Sequence, residues 1–203
     1  MSANARGAPM AVSGSDDGTV MIWDPRNRGA ASSMTNKFQV TAVAFSSDGN
    51  TVYSGGIDCD IKGWDVRMGE VCSTFKSHTN TITGLAINAA GTHLLSNGMD
   101  HCLRIWDIRP YTQGNRLSAT LTGAEHSFEQ NLLRCSWSAD GTLVGAGGAD
   151  CMVHVWDALS GNLRYKLPGH AGAVTDVDFH PKEPIIGSCA TDKNIYIGEF
   201  SDQ

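Results

Sequence analysis

Proline is scarce in this chain, 6 in 203 residues, against 23 glycines and a 41% hydrophobic content. That balance excludes a disordered or low-complexity chain and supplies enough apolar material for a core. No stretch approaches the roughly 18 consecutive apolar residues of a membrane helix, and the N-terminus lacks the basic-then-apolar layout of a secretory signal. The expectation is a soluble, intracellular protein that meets no membrane. Basic residues are also few: 15 Lys and Arg against 21 Asp and Glu, a net charge of −6. Nonspecific nucleic-acid affinity comes from neutralising phosphates with Lys and Arg, so protein partners are expected rather than bare RNA or DNA. The six cysteines (Cys59, Cys72, Cys102, Cys135, Cys151 and Cys189) form no C-x-x-C pair and are read as small packed hydrophobes, not metal ligands or disulfides. No Gly-rich phosphate loop opens a helix and no metal-ligand spacing occurs, so neither cofactor, metal nor small-molecule substrate is expected.

What the chain does have is a period. Trp23-Asp24, Trp64-Asp65, Trp106-Asp107 and Trp156-Asp157 fall 41, 42 and 50 residues apart, and a degenerate Gly198-Glu199 follows 42 residues on. An aspartate precedes each Trp position by six residues: Asp17, Asp58, Asp100, Asp150 and Asp192. This pattern resembles the WD-repeat β-propeller family, whose blades stack around an axis and present loops to partners. The fold class expected is all-β, and the function is binding.

Each unit reads as four short strands. In the second, Val40 to Phe45, Thr51 to Ser54, Ile61 to Trp64 and Val71 to Phe75 are separated by Ser46-Ser47-Asp48-Gly49 and Gly55-Gly56-Ile57-Asp58 turns. The repeat units run roughly 10–34, 35–75, 76–122, 123–167 and 168–200. The 50-residue interval contains two insertions. Trp64 to His78 and Trp156 to His170 span 14 residues while Trp106 to His126 spans 20, and two further residues lie between His126 and Trp137. Insertions map to loops, and loops carry recognition, which singles out Pro110-Tyr111 and Phe128-Glu129. At the ends, no first strand is recognisable in residues 1–9, and three strands precede Gln203. Three full blades flanked by two partial ones are expected, an incomplete ring with open strand edges.

Ser, His and Asp residues recur at the blade period: His78, Ser96 and Asp100 with Trp106, then His170, Ser188 and Asp192. A hydrolase needs one triad, so repetition points to structure rather than catalysis. In WD-repeat proteins these positions form a hydrogen-bond chain from Asp through His and Ser to Trp. Only the third unit is complete, because Asn36 replaces His, Ala146 replaces Ser and Gly198 replaces Trp elsewhere. No catalytic residue is assigned and no enzyme is expected. Arg26, Arg67 and Arg109 each stand two residues after a Trp-Asp pair. This W-D-x-R pattern resembles the box through which some WD-repeat proteins dock on the adaptor of a cullin-RING ubiquitin ligase, a substrate-receptor role that stands as the alternative.

Several stretches carry a narrower resemblance: Ser13 to Val20, Ser54 to Asp58, Asn131 to Ser138, Tyr165 to Gly172, Phe179-His180-Pro181, Glu183 to Ile186, and Asp192-Lys193 with Tyr196 to Glu199. Together they resemble the WD-repeat subunits of the U5 small nuclear ribonucleoprotein, a spliceosomal particle. The resemblance implies a seven-bladed ring of which this chain is the C-terminal part. It also implies a noncatalytic scaffold in the nucleus, whose partners are spliceosomal proteins, above all the particle's large central protein, with RNA contact indirect at most. In that fold the turns before each aspartate open on one rim, so Asp16, Ile57, Met99, Ala149 and Thr191, with Asn80 and Phe128 from neighbouring loops, are the partner-binding candidates. Ile57, Met99 and Phe128 lead, because apolar residues at exposed tips serve as anchors.

Overall fold

The computed structural model describes residues 1–3, 9–112 and 114–200. Every regular element among them is a β-strand, and the strands assemble into five antiparallel meanders in chain order. The first sheet holds β1 (Ser2–Ala3), β2 (Ala11–Gly14), β3 (Thr19–Trp23) and β4 (Ala30–Thr35). The second holds β5 (Val40–Phe45), β6 (Thr51–Gly56), β7 (Asp60–Asp65) and β8 (Val71–Lys76). The third holds β9 (Ile82–Ile87), β10 (His93–Gly98), β11 (Cys102–Asp107) and β12 (Leu117–Thr122). The fourth holds β13 (Cys135–Trp137), β14 (Leu143–Gly147), β15 (Val153–Asp157) and β16 (Leu163–Leu167). The fifth has three strands: β17 (Val174–Phe179), β18 (Ile185–Ala190) and β19 (Ile195–Glu199).

One expectation is corrected here. The first sheet has its innermost strand after all, because Ser2 and Ala3 pair with Val12 and Ala11. Two residues without an alternating pattern give no period to read, and the Ser2 hydroxyl fixes the segment by accepting from the Phe45 amide at 3.2 Å. Among the described residues four sheets therefore have four strands, and the last has three. In the fourth sheet, where the sequence pattern predicts an inner strand over Leu132 to Trp137, the strand starts at Cys135.

Side chains alternate across a strand, so each blade has a leading and a trailing apolar face. The trailing face of the first (Val12, Val20, Ile22, Met34) packs on Val43, Phe45, Val52 and Trp64 of the second. The second meets Ile82, Leu94 and Trp106 through Ala42, Tyr53, Ile61 and Phe75. The third meets Cys135, Val144 and Trp156 through Leu95, Leu103, Ile105 and Leu121. Trp64, Trp106 and Trp156 thus each close the seam with the preceding blade. Hydrogen bonds stitch the same seams: the Thr41 hydroxyl donates to Ile82 O, and Thr83 Oγ1 to Leu133 O at 2.8 Å. Gly147 lets a seam close, since a Cβ there would lie 2.0 Å from Val174 O. The innermost strands β1, β5, β9, β13 and β17 line a common channel of ≈ 610 Å³.

The fifth blade breaks the series. The residues three and one before the Trp position are Val20 and Ile22, Leu103 and Ile105, and Val153 and Val155, all at most 3% exposed. Their counterparts in the fifth blade, Ile195 and Ile197, are 74% and 76% exposed. No sheet among the described residues covers that face, so the five blades form an open arc.

Candidate partner-binding surface

In a meander of four antiparallel strands, the turn between the second and third strands and the link to the next blade share one end of the sheet. The other two turns share the opposite end. The first set is called the upper end here, and the aspartates that hold its turns are built from the sequence period. In the third blade Asp100 accepts from His78 Nδ1 at 3.0 Å and from the Thr79 amide at 3.2 Å. His78 Nε2 lies 2.7 Å from Ser96 Oγ, which accepts from Trp106 Nε1 at 2.9 Å. His78, Ser96 and Trp106 are buried, so every polar atom in the chain needs the partner it finds. With Nδ1 protonated, His78 donates to Asp100 and accepts the Ser96 hydroxyl at Nε2, while Arg104 Nη1 crowds Nδ1 from the side at 2.5 Å. The geometry is a brace between turn and strands, buried where a hydrolase would need an open nucleophile. Burial would raise the Asp100 carboxyl, but hydrogen bonds from His78 and Arg104 outweigh it and hold it well below the usual carboxylate range.

The other blades improvise on this brace, through a residue the sequence reading passed over. It stands four after each aspartate and two before each Trp position. In the second blade Lys62 Nζ bridges Asp58 Oδ2 and Asn36 Oδ1, both at 2.6 Å, so an ammonium stands in for the missing imidazole. Arg104 Nη1 reaches Asp100 at 2.7 Å, and His154 Nε2 reaches Asp150 at 3.1 Å. In the fifth blade His170 retains Asp192 (3.2 Å) and Ser188 (2.9 Å), and the Tyr196 ring packs edge-on against it at 4.5 Å. A Lys, Arg or His four residues after Asp58, Asp100 and Asp150 was the available signal, and Met21 and Tyr196 hold that offset in the first and fifth blades. His126, which the spacing places beside Asp150, instead donates its amide to His101 Nδ1 at 3.1 Å and turns its ring toward Asn97. Lys166 and His154 occupy Asp150, and with Ala146 in place of Ser, Trp156 Nε1 bonds Thr122 O at 3.0 Å.

The residue after each aspartate adopts a left-handed backbone: Gly18 (φ 82), Cys59 (59), His101 (60), Cys151 (63) and Lys193 (66). Only the first blade uses glycine there. The four others sit in a backbone conformation that L-residues disfavour, with His101 and Lys193 exposed and Cys59 and Cys151 half-buried at the upper end.

Of the candidates, Asp16, Ile57, Asn80, Met99 and Phe128 lie at this upper end, and Arg67 and Arg109 at the lower one. Asp16 and Asn80 are exposed. Ile57 is 46% exposed and Phe128 101%, whereas Met99 is half-buried, tied by its amide to Thr81 O at 2.8 Å. The lower end has exposed apolar tips that the sequence reading did not weigh, Met68 (71%) and Leu159 (97%), besides Tyr111 (96%) in the first insertion. Two of its three W-D-x-R arginines are not presented as free forks. Arg109 Nε and Nη2 grip Asp107 at 3.0 and 2.5 Å, and Arg26 grips Asp24 at 2.9 and 2.7 Å. The Arg26 side chain holds the Asp24 carboxyl down to about 2. Arg67 differs: its amide, not its guanidinium, caps Asp65 at 2.8 Å. All six cysteines are free thiols.

The braced turns, the meander order and the Trp seams can be set beside known families. The model of the WD domain, G-beta repeat family matches residues 5–24, 32–65, 69–107, 116–157 and 161–197. The chain belongs to that family. Within it, the chain is 48% identical over 195 residues to the U5 small nuclear ribonucleoprotein 40 kDa protein of Homo sapiens, and 52% identical over 196 residues to the protein of that name in Dictyostelium discoideum. It is also 48% identical over 195 residues to the pre-mRNA-splicing factor cwf17 of Schizosaccharomyces pombe. Each match covers 96% of this chain but 55–57% of the relative. The chain spans about half the length of the curated relatives it matches.

Proposed function

We propose that this chain serves as a noncatalytic protein-protein scaffold in the U5 small nuclear ribonucleoprotein, acting in pre-mRNA splicing in the nucleus. The observation that carries the reading is identity of 48–52% across 96% of the chain with proteins named for that particle and that process. Its partners are then spliceosomal proteins, the large central protein of the particle first among them. The acidic balance, net −6, leaves RNA contact to others. The upper end, with Asp16, Ile57, Asn80, Met99 and Phe128, is the contact surface, since its turns are braced by buried networks and recognition loops need a rigid scaffold. The ubiquitin-ligase alternative gains nothing from the geometry, because two of its three arginines are engaged by their own Trp-Asp aspartates.

A pull-down of the tagged chain from nuclear extract separates the two readings. Recovery of U5 proteins and U5 RNA, undiminished in the double variant Arg67→Ala, Arg109→Ala, is the expected result. Recovery of a cullin and its adaptor, lost in that variant, would replace the scaffold reading with the receptor reading.

A further inference from the structure

The insertion between β12 and β13 carries an acidic aromatic tip that no structural role consumes. Both ends of the loop are fixed. Glu125 O accepts from the Ala149 amide at 2.8 Å and His126 N donates to His101 at 3.1 Å. At the other end Leu133 O accepts from Thr83 Oγ1 at 2.8 Å and from Asn97 Nδ2 at 3.1 Å. Between these anchors Gln130 N closes a turn on Ser127 O at 3.1 Å, the Glu129 amide donates to Ser127 Oγ at 3.3 Å, and Gln130 is left-handed at φ 52. Phe128 stands at the first corner of that turn with its ring entirely in water, 101% exposed. The links into the third and fifth blades carry Asn80 and Gly172 in this region, so a phenylalanine is not demanded by the blade plan.

Charge gives the tip its second character. Residues 117–133 contain two glutamates and no Lys or Arg. Glu125 and Glu129 are exposed on either side of Phe128, and among the described residues neither makes an ion pair. Asn131 Nδ2 does hold Glu129 Oε2 at 3.0 Å, which orients that carboxylate. An exposed aromatic side chain on a hydrogen-bonded turn, flanked by carboxylates without an ion pair, repels a phosphate surface and suits an apolar cavity with a basic rim.

We propose that Phe128 is a docking anchor that enters an apolar pocket on a protein partner, and that Lys or Arg at the rim of this pocket pair with Glu125 and Glu129. The inference rests on the scaffold reading and names the chemistry of its contact. Because the loop is held before binding, little ordering cost is incurred on docking, which favours a concentrated, anchor-dominated interface.

The test uses purified U5 particles, immobilised, and the whole chain with each variant checked by circular dichroism. Phe128→Ala should weaken capture by roughly 30-fold or more, the loss that marks an interface anchor. Glu125→Lys with Glu129→Lys should slow association about tenfold at low salt, with the difference shrinking as salt rises. Leu159→Ala, equally exposed at the lower end, should change nothing. A photo-crosslinker at position 128 should join a protein peptide whose apolar residues neighbour Lys or Arg. If Phe128→Ala binds like the unsubstituted chain, or the crosslink lands on RNA or on an acidic surface, the anchor is refuted while the scaffold reading stands. If the unsubstituted chain itself is not captured, both fail.

Discussion

Replacing Asp100 by alanine removes the keystone of the most complete brace in the molecule. The carboxylate accepts from His78 Nδ1 (3.0 Å), Arg104 Nη1 (2.7 Å) and the Thr79 amide (3.2 Å). His78 and Arg104 are 7% and 8% exposed, so both lose their partner where water cannot replace it. Arg104 is left worst, because its Nε already has none. Orphaning a buried polar group costs about 1–3 kcal/mol, and leaving one charge of a buried pair about 3–5 kcal/mol. A total of about 3–4 kcal/mol is expected, since the turn can relax toward solvent. For a chain of this size that lowers the melting midpoint by about 10 °C. Asp48→Ala is the comparison. Asp48 also accepts three hydrogen bonds, from Ser46 and Asn50, but in an exposed hairpin, and about 0.5–1 kcal/mol is expected. Asp100→Asn, which preserves shape and discards charge, should fall between them. Paired thermal and urea melts followed by circular dichroism give the ranking. Equal midpoints for Asp100→Ala and Asp48→Ala would refute the brace and with it the reading of these residues as structural.

Cys151→Gly should stabilise the chain by about 0.5–1 kcal/mol in a urea melt, because its left-handed turn (φ 63) suits glycine; destabilisation would mean that the thiol packs usefully. Burial, with the neighbouring His101, holds the His126 pKa down to about 4 from an ordinary 6.5. A depressed folded value means that this group's stabilisation is complete above pH 6.5 and is lost as pH falls toward 4. Melting midpoints of the unsubstituted chain should therefore drop across that window, and His126→Gln should flatten the slope; an unchanged slope would remove His126 from the account. The bare trailing face of the fifth blade should drive self-association, since covering Ile195 and Ile197 contributes about 1.5–3 kcal/mol each. Ile197→Asp should shift sedimentation toward monomer without lowering the melt, whereas Val155→Asp, the same position inside the arc, should prevent folding. A sharply melting monomer from the unsubstituted chain would contradict this.

Most of the fold was legible because the Trp-Asp period is longer than any accident and each repeat carries its own turn signals. Ser46 to Gly49 and the aspartate turns fixed strand ends to within two residues. The exceptions have local causes. Ser2–Ala3 is too short to show alternation, and its pairing is decided by β2 and Phe45 rather than by its own side chains. The strand expected from Leu132 begins at Cys135 because Leu133 spends its carbonyl on Thr83 and Asn97 of the neighbouring blade. The Asp–His–Ser–Trp chain was readable in the third blade, where all four members are present. The contacts of Lys62, Arg104 and His154 with their aspartates were not, because a polar residue on a strand reads equally as a solvated face until its aspartate is in view. The detour of His126 follows from an insertion whose path the spacing does not state. Exposure at the upper end separated Phe128 and Ile57 from Met99 in a way sequence alone could not.

The central claim is that this arc scaffolds the U5 particle through protein contacts. Sedimentation of the tagged chain in nuclear extract through a glycerol gradient, with and without ribonuclease, tests it most directly. The account predicts that the chain travels with U5 RNA and the particle's large central protein, and that it stays with that protein after the RNA is digested. A chain that remains in the light fractions, or leaves the protein when the RNA is removed, would contradict it.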